Sequence, residues 1–342
     1  MRTYHIPIFV PHRGCPHDCA FCNQKKITGS LRAPSPTEAE EFIRRSLSTM
    51  KRQDRYAEAA FFGGSFTAIP WEEQEALLQA AYPFRQSGEL DGIRVSTRPD
   101  AITEEGLVRL KQYGVTMIEL GVQSMDDGVL QAAGRGHTAA DSIRAAELIR
   151  QSGVGLGVQM MTGLPEDTDE KSRRTAQALI ALRPDCARIY PTLVLRDTEL
   201  YRRWRAGEYQ PQGLWEAVEL CAELYTMFLE NRIPVIRMGL MASDEICEGG
   251  AVAAGPYHPA FGELVQSHIL LGRMKRGGTE RGGLVEIRVN PKDISRAVGN
   301  RKRNLLELEA HFGKPVRICP DEAVPPAFCR EKIEKGAGFV LK

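Results

Sequence analysis

The sequence of 342 residues lacks long apolar runs, and no stretch approaches the roughly 18 consecutive apolar residues that a transmembrane helix needs. It also lacks a secretory signal, because the apolar run near the N-terminus is short and is broken by Pro7 and Pro11. Eight cysteines are too few for a disulfide scaffold of this length. These absences predict a cytoplasmic protein with no membrane partner.

An excess of charge of one sign is missing as well. The sequence has 45 basic and 44 acidic residues, and the net charge of +1 indicates neither a nucleic-acid nor a membrane partner. The charge is nevertheless unevenly distributed, since residues 273–303 hold ten basic and three acidic residues. A local charge of +7 can neutralise phosphates, and a solvated helix face that compensates acidic helices elsewhere is the alternative interpretation.

Short β-rich segments alternate with amphipathic helical segments over much of the chain. The predicted strands cover residues 6–10, 57–62, 92–97, 116–120, 154–161 and 185–190, and the predicted helices cover 37–51, 103–112, 139–150 and 168–182. Apolar strands that alternate with helices are typical of a parallel α/β sheet, either doubly wound or curled into a partial or full barrel. In both architectures ligands bind at the carboxyl ends of the strands.

The pattern changes after residue 191, where longer helices are predicted at 198–205, 214–231 and 262–276. The glycine-rich segment 239–262 is predicted to be a loop that packs against the functional site, because long connections without a function are uncommon in compact domains. We therefore expect a core over residues 1–275, in which about 191–275 form an extension. A small α+β module is expected over residues 281–342.

Three of the eight cysteines lie within eight residues, directly after the first predicted strand. Cys15, Cys19 and Cys22 have the spacing C-x3-C-x2-C, with no fourth ligand nearby. Structural zinc usually takes four protein ligands in two separated pairs, which this spacing does not supply. An iron-sulfur cluster held by three cysteines leaves one iron open to another ligand. A zinc knuckle and a redox-regulatory group of thiols remain the alternatives.

This spacing, with Phe21 in the aromatic position, resembles that of the radical S-adenosylmethionine (radical SAM) enzymes. The resemblance implies a partial or full (β/α) barrel with a 4Fe-4S cluster on Cys15, Cys19 and Cys22, whose open iron binds SAM. It further implies reductive cleavage of SAM to a 5′-deoxyadenosyl radical. The electron would come from a flavodoxin-type or ferredoxin-type donor.

Glycine and polar residues follow successive predicted strands, and the same resemblance gives them a role in binding SAM. The cofactor-binding residues that it implies are Phe21, Gly63, Gly64, Ser65, Thr97, Gln123, Arg135 and Gln159. Arg135 would pair with the SAM carboxylate, for which a guanidinium is well suited. The structural alternatives are a tight turn for the glycines, a surface salt bridge for Arg135, and satisfied core polar groups for Thr97 and Gln159.

Longer motifs narrow the resemblance. Phe-Gly-Gly-Ser-Phe-Thr, Ser-Thr-Arg-Pro-Asp and Glu-Leu-Gly-Val-Gln-Ser-Met are similar, in order and spacing, to the radical SAM domain of the Elongator catalytic subunit family. The similarity covers about residues 4–275 and implies modification of a nucleoside in tRNA or rRNA. We expect no counterpart of that family's acetyltransferase domain after Gly283, because we find no pyrophosphate loop for acetyl-CoA in the residues that follow it.

The last 60 residues predict a strand at 284–289, a helix at 291–298, a turn at 299–302, a helix at 303–312 and a strand at 315–319. This order is similar to the core of a KH domain, in which the loop between the helices clamps a nucleic-acid backbone. Lys302 stands where the second loop glycine of a KH domain belongs. The RNA-binding residues that the resemblance implies are Arg296, Asn300, Arg301, Lys302 and Arg303.

Two residues of the glycine-rich segment are candidates for catalysis. Cys247 could donate a hydrogen atom or accept a methyl group, and His258 could be an acid or base or could cap a turn. Two alternative functions also stay open at this point. One is a radical SAM oxidoreductase acting on a small molecule such as a tetrapyrrole, and the other is an RNA-binding protein whose cluster is structural or senses redox state.

Overall fold

The structure, a computed structural model, describes residues 2–10, 15, 19–23, 32–50, 55–240, 246–247 and 249–327. Its larger part contains nine strands: β1 (Arg2–Val10), β2 (Arg55–Gly63), β3 (Gly92–Thr97), β4 (Val115–Gln123), β5 (Gly155–Thr162), β6 (Cys186–Pro191), β7 (Val194–Leu195), β8 (Val235–Met238) and β9 (Val252–Ala254). Seven of them form one parallel sheet in the order β1-β2-β3-β4-β5-β6-β8. The order in the sheet thus follows the order in the chain.

This sequential order distinguishes between the two predicted architectures. A doubly wound sheet has a point at which the strand order reverses, and the seven strands of this sheet have none. The sheet is a half-barrel, which confirms the predicted α/β fold with a partial barrel. Nine helices belong to this part of the described chain: α1 (Pro36–Thr49), α2 (Trp71–Gln86), α3 (Glu104–Gln112), α4 (Asp127–Ala132), α5 (Ala139–Ser152), α6 (Asp169–Ala181), α7 (Glu199–Arg205), α8 (Leu214–Glu230) and α9 (Phe261–Met274).

An apolar core lies between the helices and the outer face of the sheet. Ile43 of α1, Leu78 of α2 and Phe228 of α8 are fully buried there, against strand residues such as Ile118 and Ile189. The helices therefore cover one face of the sheet, and the inner face is left for polar side chains. Among the described residues, no helix is long and apolar enough to cross a membrane.

The inner face carries a buried ladder of ion pairs, which we call the ladder: His5, Glu58, Arg94, Glu119 and Arg188, from five different strands. Glu58 binds His5 at 2.5 Å and also binds Arg94, whereas Glu119 binds Arg94 at 2.5 Å and Arg188 at 2.8 Å. Burial acts to raise the pKa of Glu58, but the hydrogen bond from His5 and the charge of Arg94 lower it below its usual value. The ladder therefore keeps its carboxylates ionised inside the half-barrel.

The C-terminal part is a small α+β module, as predicted. It consists of β10 (Thr279–Arg281), β11 (Leu284–Val289), α10 (Ile294–Val298), α11 (Arg303–Phe312) and β12 (Val316–Pro320). In its sheet β11 is central, antiparallel to β10 and parallel to β12. Its apolar core includes Leu270, Leu271 and Met274 of α9, so α9 packs on the module as well as on the half-barrel. The domain boundary between residues 275 and 281 stays a prediction.

Two predicted connections are wrong in part, because each contains a short strand. The segment 239–262 includes β9, which pairs antiparallel with β7, and the glycine-rich linker 277–283 includes β10. Strands of two or three residues are too short for an alternating pattern to indicate them. Gly282 and Gly283, with φ of 56° and 82°, form the hairpin turn from β10 to β11. The helices α2 and α4 and the strand β8 were also not among the predicted elements.

Asn304 anchors the module to α9, and its replacement by leucine is expected to destabilise the protein by about 1–3 kcal/mol. The Asn304 side chain is 4% exposed, and its Nδ2 donates to Ser267 Oγ at 2.9 Å and to the Arg296 carbonyl at 2.9 Å. Leucine would remove the donor to Ser267 Oγ and would leave the Arg296 carbonyl with only the hydrogen bond from Ser267 Oγ at 2.7 Å. Urea unfolding measures the change, with Asn300→Leu at an exposed position as the control. Equal stabilities of the two variants would contradict the anchor.

Candidate cluster and cofactor site

The cysteines of the predicted cluster lie at the carboxyl end of the half-barrel, where Cys15 and Cys19 are close to Arg135. Cys19 is buried, whereas Cys15 and Cys22 are partly exposed, and the Cys22 amide donates to the Cys19 carbonyl at 3.0 Å. Burial and the neighbouring Cys19 raise the pKa of the Cys15 thiol, while the charges of Arg98 and Arg135 act in the opposite direction. All three cysteines belong to the described part of the chain, but residues 11–14 and 16–18 lie outside it.

The chain between Cys19 and Cys22 is attached to two helices. The Ala20 amide donates to the Ala133 carbonyl, directly after α4, at 3.0 Å, and the Ala20 carbonyl accepts from the Leu200 amide in α7 at 2.7 Å. Phe21 packs against a small apolar cluster formed by Val129, Ala133, Met161 and Leu164. The aromatic position of the cysteine motif therefore fixes the segment to the end of β5.

Two buried arginines lie beside the cysteines. Arg135 Nη1 donates to Cys19 Sγ at 3.2 Å, and Arg135 Nη2 donates to the Gly121 carbonyl at 2.6 Å. Arg98 Nη2 donates to the Arg135 carbonyl, and Arg98 Nε binds Asp100 at 2.9 Å. Arg135 is only 7% exposed, so the surface salt bridge considered for it is excluded. Arg98 was not among the predicted site residues, although it stands in the Ser-Thr-Arg-Pro-Asp motif.

Several buried nitrogen atoms at this site have no hydrogen-bond partner within the described residues. They are Arg135 Nε, Arg98 Nη1 and His137 Nδ1. A buried donor without an acceptor costs about 1–3 kcal/mol, and more when it is charged. The two guanidinium donors therefore suit an anionic group, such as a thiolate-held cluster with its sulfide acceptors or a carboxylate. The donor set fits both a 4Fe-4S cluster and the carboxylate of SAM.

His137 supplies an acceptor rather than a charge. Burial, followed by the charges of Arg135 and Arg98, lowers the pKa of His137 to about 4, so the ring is neutral at neutral pH. Its Nε2 lies 3.2 Å from the Val122 carbonyl and therefore carries the proton. Nδ1 is then a buried acceptor that suits a hydroxyl or amino group. His137 was not among the predicted site residues, and only its place two residues after Arg135 could have indicated it.

The ends of β2 and β3 are joined by hydroxyl groups. Ser65 Oγ lies 2.9 Å from Thr97 Oγ1, and Thr67 Oγ1 lies 2.6 Å from the same atom. Because Thr97 has two hydroxyl partners and is 4% exposed, its geometry favours the core polar alternative for this residue. Gly63 has a φ of 116°, a conformation that glycine adopts at little cost, and the Gly64 amide donates to the Val10 carbonyl at 2.8 Å.

Gln123 and Gln159 come together as the resemblance implies. Gln159 Nε2 donates to Gln123 Oε1 at 3.3 Å, and Gln123 has a φ of 69°, a strained conformation of the kind found at binding sites. Gly121, which was not among the predicted cofactor-binding residues, lets the side chains of Gln123 and Arg135 approach the strand closely. A Cβ at Gly121 would lie 3.0 Å from Gln123 Nε2, 3.5 Å from Arg135 Nη2 and 3.6 Å from the Thr97 carbonyl.

Cys247 lies in a segment that is linked to the cysteine motif, as predicted for the glycine-rich loop. The Gly250 amide donates to the Cys247 carbonyl at 3.1 Å, and the Gly250 carbonyl accepts from Arg196 Nε at 3.1 Å. The Arg196 carbonyl in turn accepts from Asn23 Nδ2 at 3.4 Å. Asn23 directly follows Cys22. The catalytic role of Cys247 stays a prediction, and residues 241–245 and 248 lie outside the described residues.

His258 links the half-barrel to the C-terminal module. Its Nδ1 accepts from the Ala260 amide at 3.1 Å, which favours the turn-capping alternative, and its Nε2 lies 3.4 Å from Asn300 Nδ2. The loop that contains Asn300 therefore lies beside residues 255–260. Gly255 is close to the end of β6, because a Cβ there would lie 3.0 Å from the Thr192 carbonyl.

The structure divides the predicted RNA-binding residues into two groups. Arg296 is paired with Glu263 and Asp293, and Arg303 is paired with Glu307 and lies 3.5 Å from the centre of the Trp215 ring. Lys275 and Arg288 are paired with carboxylates too, so the local charge of +7 is partly neutralised. The exposed residues of the predicted loop are Asn300, Arg301 and Lys302.

Comparisons of the sequence with known protein families and proteins identify the superfamily of this chain. Residues 9–179 match the radical SAM superfamily, and residues 184–270 match the radical SAM C-terminal domain. A tRNA uridine(34) acetyltransferase of Methanocaldococcus jannaschii is 36% identical over 129 residues, which are 37% of this chain and 24% of that protein. An uncharacterised protein of the same organism is 26% identical over 291 residues, covering 82% of this chain and 87% of that protein.

A similar fold occurs in the solved structure of the archaeal Methanocaldococcus infernus Elp3 with an N-terminal deletion. The TM-score is 0.61 at 22% identity, and the match covers 78% of this chain and 62% of that chain. This chain spans about a quarter of the length of the acetyltransferase that it matches. The chain belongs to the radical SAM superfamily of enzymes, and its radical SAM region is homologous to that of the Elp3-type tRNA uridine(34) acetyltransferases.

Proposed function

We propose that this protein uses a 4Fe-4S cluster and SAM to modify a nucleoside in tRNA or rRNA. The observation that carries the proposal is that Cys15 and Cys19, with Cys22 in the same turn as Cys19, lie beside two buried, partly unsatisfied guanidinium groups at the end of the half-barrel. Membership of the radical SAM superfamily supports the cofactors. The tRNA relatives support an RNA substrate.

The cysteines would hold the cluster, and the surrounding residues would set its environment. When bound and reduced, the cluster supplies the electron that cleaves SAM to a 5′-deoxyadenosyl radical, and a flavodoxin-type or ferredoxin-type protein would deliver that electron. Arg135 donates to Cys19 Sγ and stabilises negative charge on the thiolate. Arg98 holds Arg135 by its carbonyl, so Arg98 is a positioning residue.

SAM would lie across the ends of β4 and β5. Arg135 Nε is the free donor for its carboxylate, and the hydrogen-bonded amide groups of Gln123 and Gln159 lie near the same arginine, beside Gly121. His137 Nδ1 is an acceptor near the same arginine. The glycine turn at Gly63 and Gly64 permits a ligand to approach the backbone closely. Together these residues would orient SAM and keep water from the reacting atoms.

RNA would be held by the exposed loop between α10 and α11. Arg301 and Lys302 have φ of 51° and 62°, and neither side chain has a polar partner in the part of the chain that the structure describes. The Asn300 side chain lies beside His258. His258 is three residues after Gly255, which lies close to the end of β6. An RNA strand held at this loop would therefore lie close to the opening of the half-barrel.

Replacing both loop cations, Arg301→Gln with Lys302→Gln, is expected to weaken RNA binding and to reduce its salt dependence. Each lost phosphate contact of a single strand lowers the slope of log K against log salt by about 0.7, so the slope should fall by about 1.4. Filter binding of tRNA at several salt concentrations measures both effects. The matched control removes two exposed half-barrel cations, Arg144→Gln with Arg174→Gln. If both double variants bind tRNA alike, the loop is not the RNA site.

The substrate is tested by comparing modified nucleosides in tRNA and rRNA from cells with and without the gene, using mass spectrometry. The proposal expects one modified nucleoside to disappear in the deletion strain and to return with the wild-type gene, but not with a gene that encodes Cys19→Ser. Unchanged nucleosides in both RNA classes would favour the small-molecule alternative.

A further inference from the structure

Two arginines lie side by side on the inner face of the half-barrel. Arg188 of β6 and Arg237 of β8 are register partners in the parallel sheet. Strands are about 4.8 Å apart, and register partners point to the same face. Arg188 faces inward, because it binds Glu119 of the ladder and lies 5.1 Å from the centre of the Phe62 ring. Arg237 therefore shares the inner face.

Arg188 is held in one orientation by its neighbours. Its Nη2 donates to Glu119 Oε1 at 3.0 Å, and its Nη1 donates to the Tyr190 hydroxyl oxygen at 3.2 Å. Because the Tyr190 hydroxyl accepts this hydrogen bond, its own proton remains available to a further acceptor. Tyr190 and Phe62 are both partly exposed, so this part of the inner face is open to a ligand.

Arg237 differs from every other arginine of the inner face. Arg94 binds Glu58 and Glu119, and Arg188 binds Glu119, whereas the Arg237 side chain has no ion pair, hydrogen bond or ring contact within the described residues. Its side chain is only partly exposed. A partly buried guanidinium without a counter-charge is unfavourable unless a ligand supplies that charge.

The surroundings of this arginine connect it to the predicted cofactor site. Arg188 is the register partner of Gln159 in β5 as well as of Arg237 in β8, so these three side chains lie on the inner face of adjacent strands. Tyr190 and Phe21 pack against the same apolar cluster, which places the end of β6 near the cysteine segment. A group bound at Arg237 would therefore belong to a molecule that extends toward the SAM site.

We propose that Arg237, Arg188 and Tyr190 form an anion-binding subsite that holds a phosphate group of the substrate inside the half-barrel. All three side chains offer donors, and two carry a positive charge, which suits a phosphate. The inference rests on the proposed function, since it assigns the phosphate to that reaction. The phosphate can come from the nucleotide that is modified or from a coenzyme that serves as co-substrate.

The experiment measures equilibrium binding of two probes, uridine 5′-monophosphate and coenzyme A, to the reconstituted protein by calorimetry. Arg237→Gln is expected to weaken binding of one probe by about 10- to 100-fold, the effect of losing a charged hydrogen bond. Arg237→Lys keeps the charge and should recover part of the affinity. The exposed Arg174→Gln makes the same change in charge and should leave binding unaltered. Thermal unfolding verifies that each variant is folded.

The two probes separate the sources of the phosphate. A loss confined to uridine monophosphate supports the nucleotide, and a loss confined to coenzyme A supports a coenzyme. The subsite is overturned if wild type binds neither probe, or if Arg237→Gln binds both as wild type does. Formation of 5′-deoxyadenosine by wild-type protein, measured in parallel, tests the proposed function separately, because calorimetry of the probes does not require SAM cleavage.

Discussion

Cys19→Ser is expected to lower the rate of 5′-deoxyadenosine formation from SAM by more than about 100-fold. Replacing a residue that only contacts a metal ligand already costs about 10- to 100-fold, and Cys19 is predicted to be a ligand itself. Cys19 is the buried member of the triplet, and its sulfur accepts from Arg135 at 3.2 Å. A serine oxygen is a poor replacement for a thiolate as a ligand of iron in a cluster. The measurement is anaerobic reconstitution, reduction with dithionite and chromatography of the nucleoside product, together with the iron content per chain.

The matched control for this variant is Cys319→Ser. Cys319 lies on β12 of the C-terminal module and is partly exposed, so its replacement should change neither iron content nor product formation. Retention of iron and of product formation by Cys19→Ser would show that this cysteine is not a cluster ligand. A zinc knuckle or a group of regulatory thiols would then account better for the triplet.

Glu119→Ala is expected to destabilise the protein by about 3–5 kcal/mol, because it leaves two buried guanidinium groups without their shared carboxylate. Glu119 is 4% exposed and binds both Arg94 and Arg188. Breaking a buried pair from one side costs more than the pair contributes, since the remaining charge stays in a poorly solvated place. The free energy of unfolding, measured with urea, gives the effect directly.

Two controls separate the buried network from a simple loss of charge. Glu170→Ala removes an exposed carboxylate that pairs with Arg174 on α6, and its effect should stay within about 0.5 kcal/mol. Arg188→Met with Glu119→Leu removes one member of each sign, keeps the Arg94–Glu58 pair and should be less harmful than Glu119→Ala alone, as buried pairs often tolerate joint replacement. A Glu119→Ala effect no larger than that of Glu170→Ala would mean that the ladder contributes little.

The sequence predicts the half-barrel well, because apolar strands and amphipathic helices differ in period and alternate regularly. It also predicts that Gln123, Arg135 and Gln159 point at one site, since they lie at or beyond the ends of strands of one parallel sheet. In the structure Gln123 ends β4, Gln159 lies in β5 and Arg135 follows α4, and the side chains of Gln123 and Gln159 are hydrogen-bonded. Their contacts with SAM stay a prediction.

Other features depend on contacts between distant segments and could not be predicted. Glu58, Arg94 and Arg188 are charged residues in otherwise apolar strands, and only the sheet register brings their side chains together. The charge of the basic patch at 273–303 also depends on contacts with distant residues. Its counter-charges include Glu307 and Asp321, which lie outside that range, so counting charges along the chain overstates the patch. The packing of Thr97 against Ser65 and Thr67 was likewise not evident in the sequence.

The most direct test of a radical SAM reaction on RNA uses the reconstituted, dithionite-reduced protein with SAM and tRNA or rRNA from cells that lack the gene. Mass spectrometry then measures 5′-deoxyadenosine and the nucleosides of the same sample. We predict that deoxyadenosine forms and that a modified nucleoside accumulates in the RNA only when wild-type protein, SAM and reductant are all present. Deoxyadenosine without any change in the RNA would contradict an RNA substrate, and the absence of deoxyadenosine would contradict a radical SAM reaction.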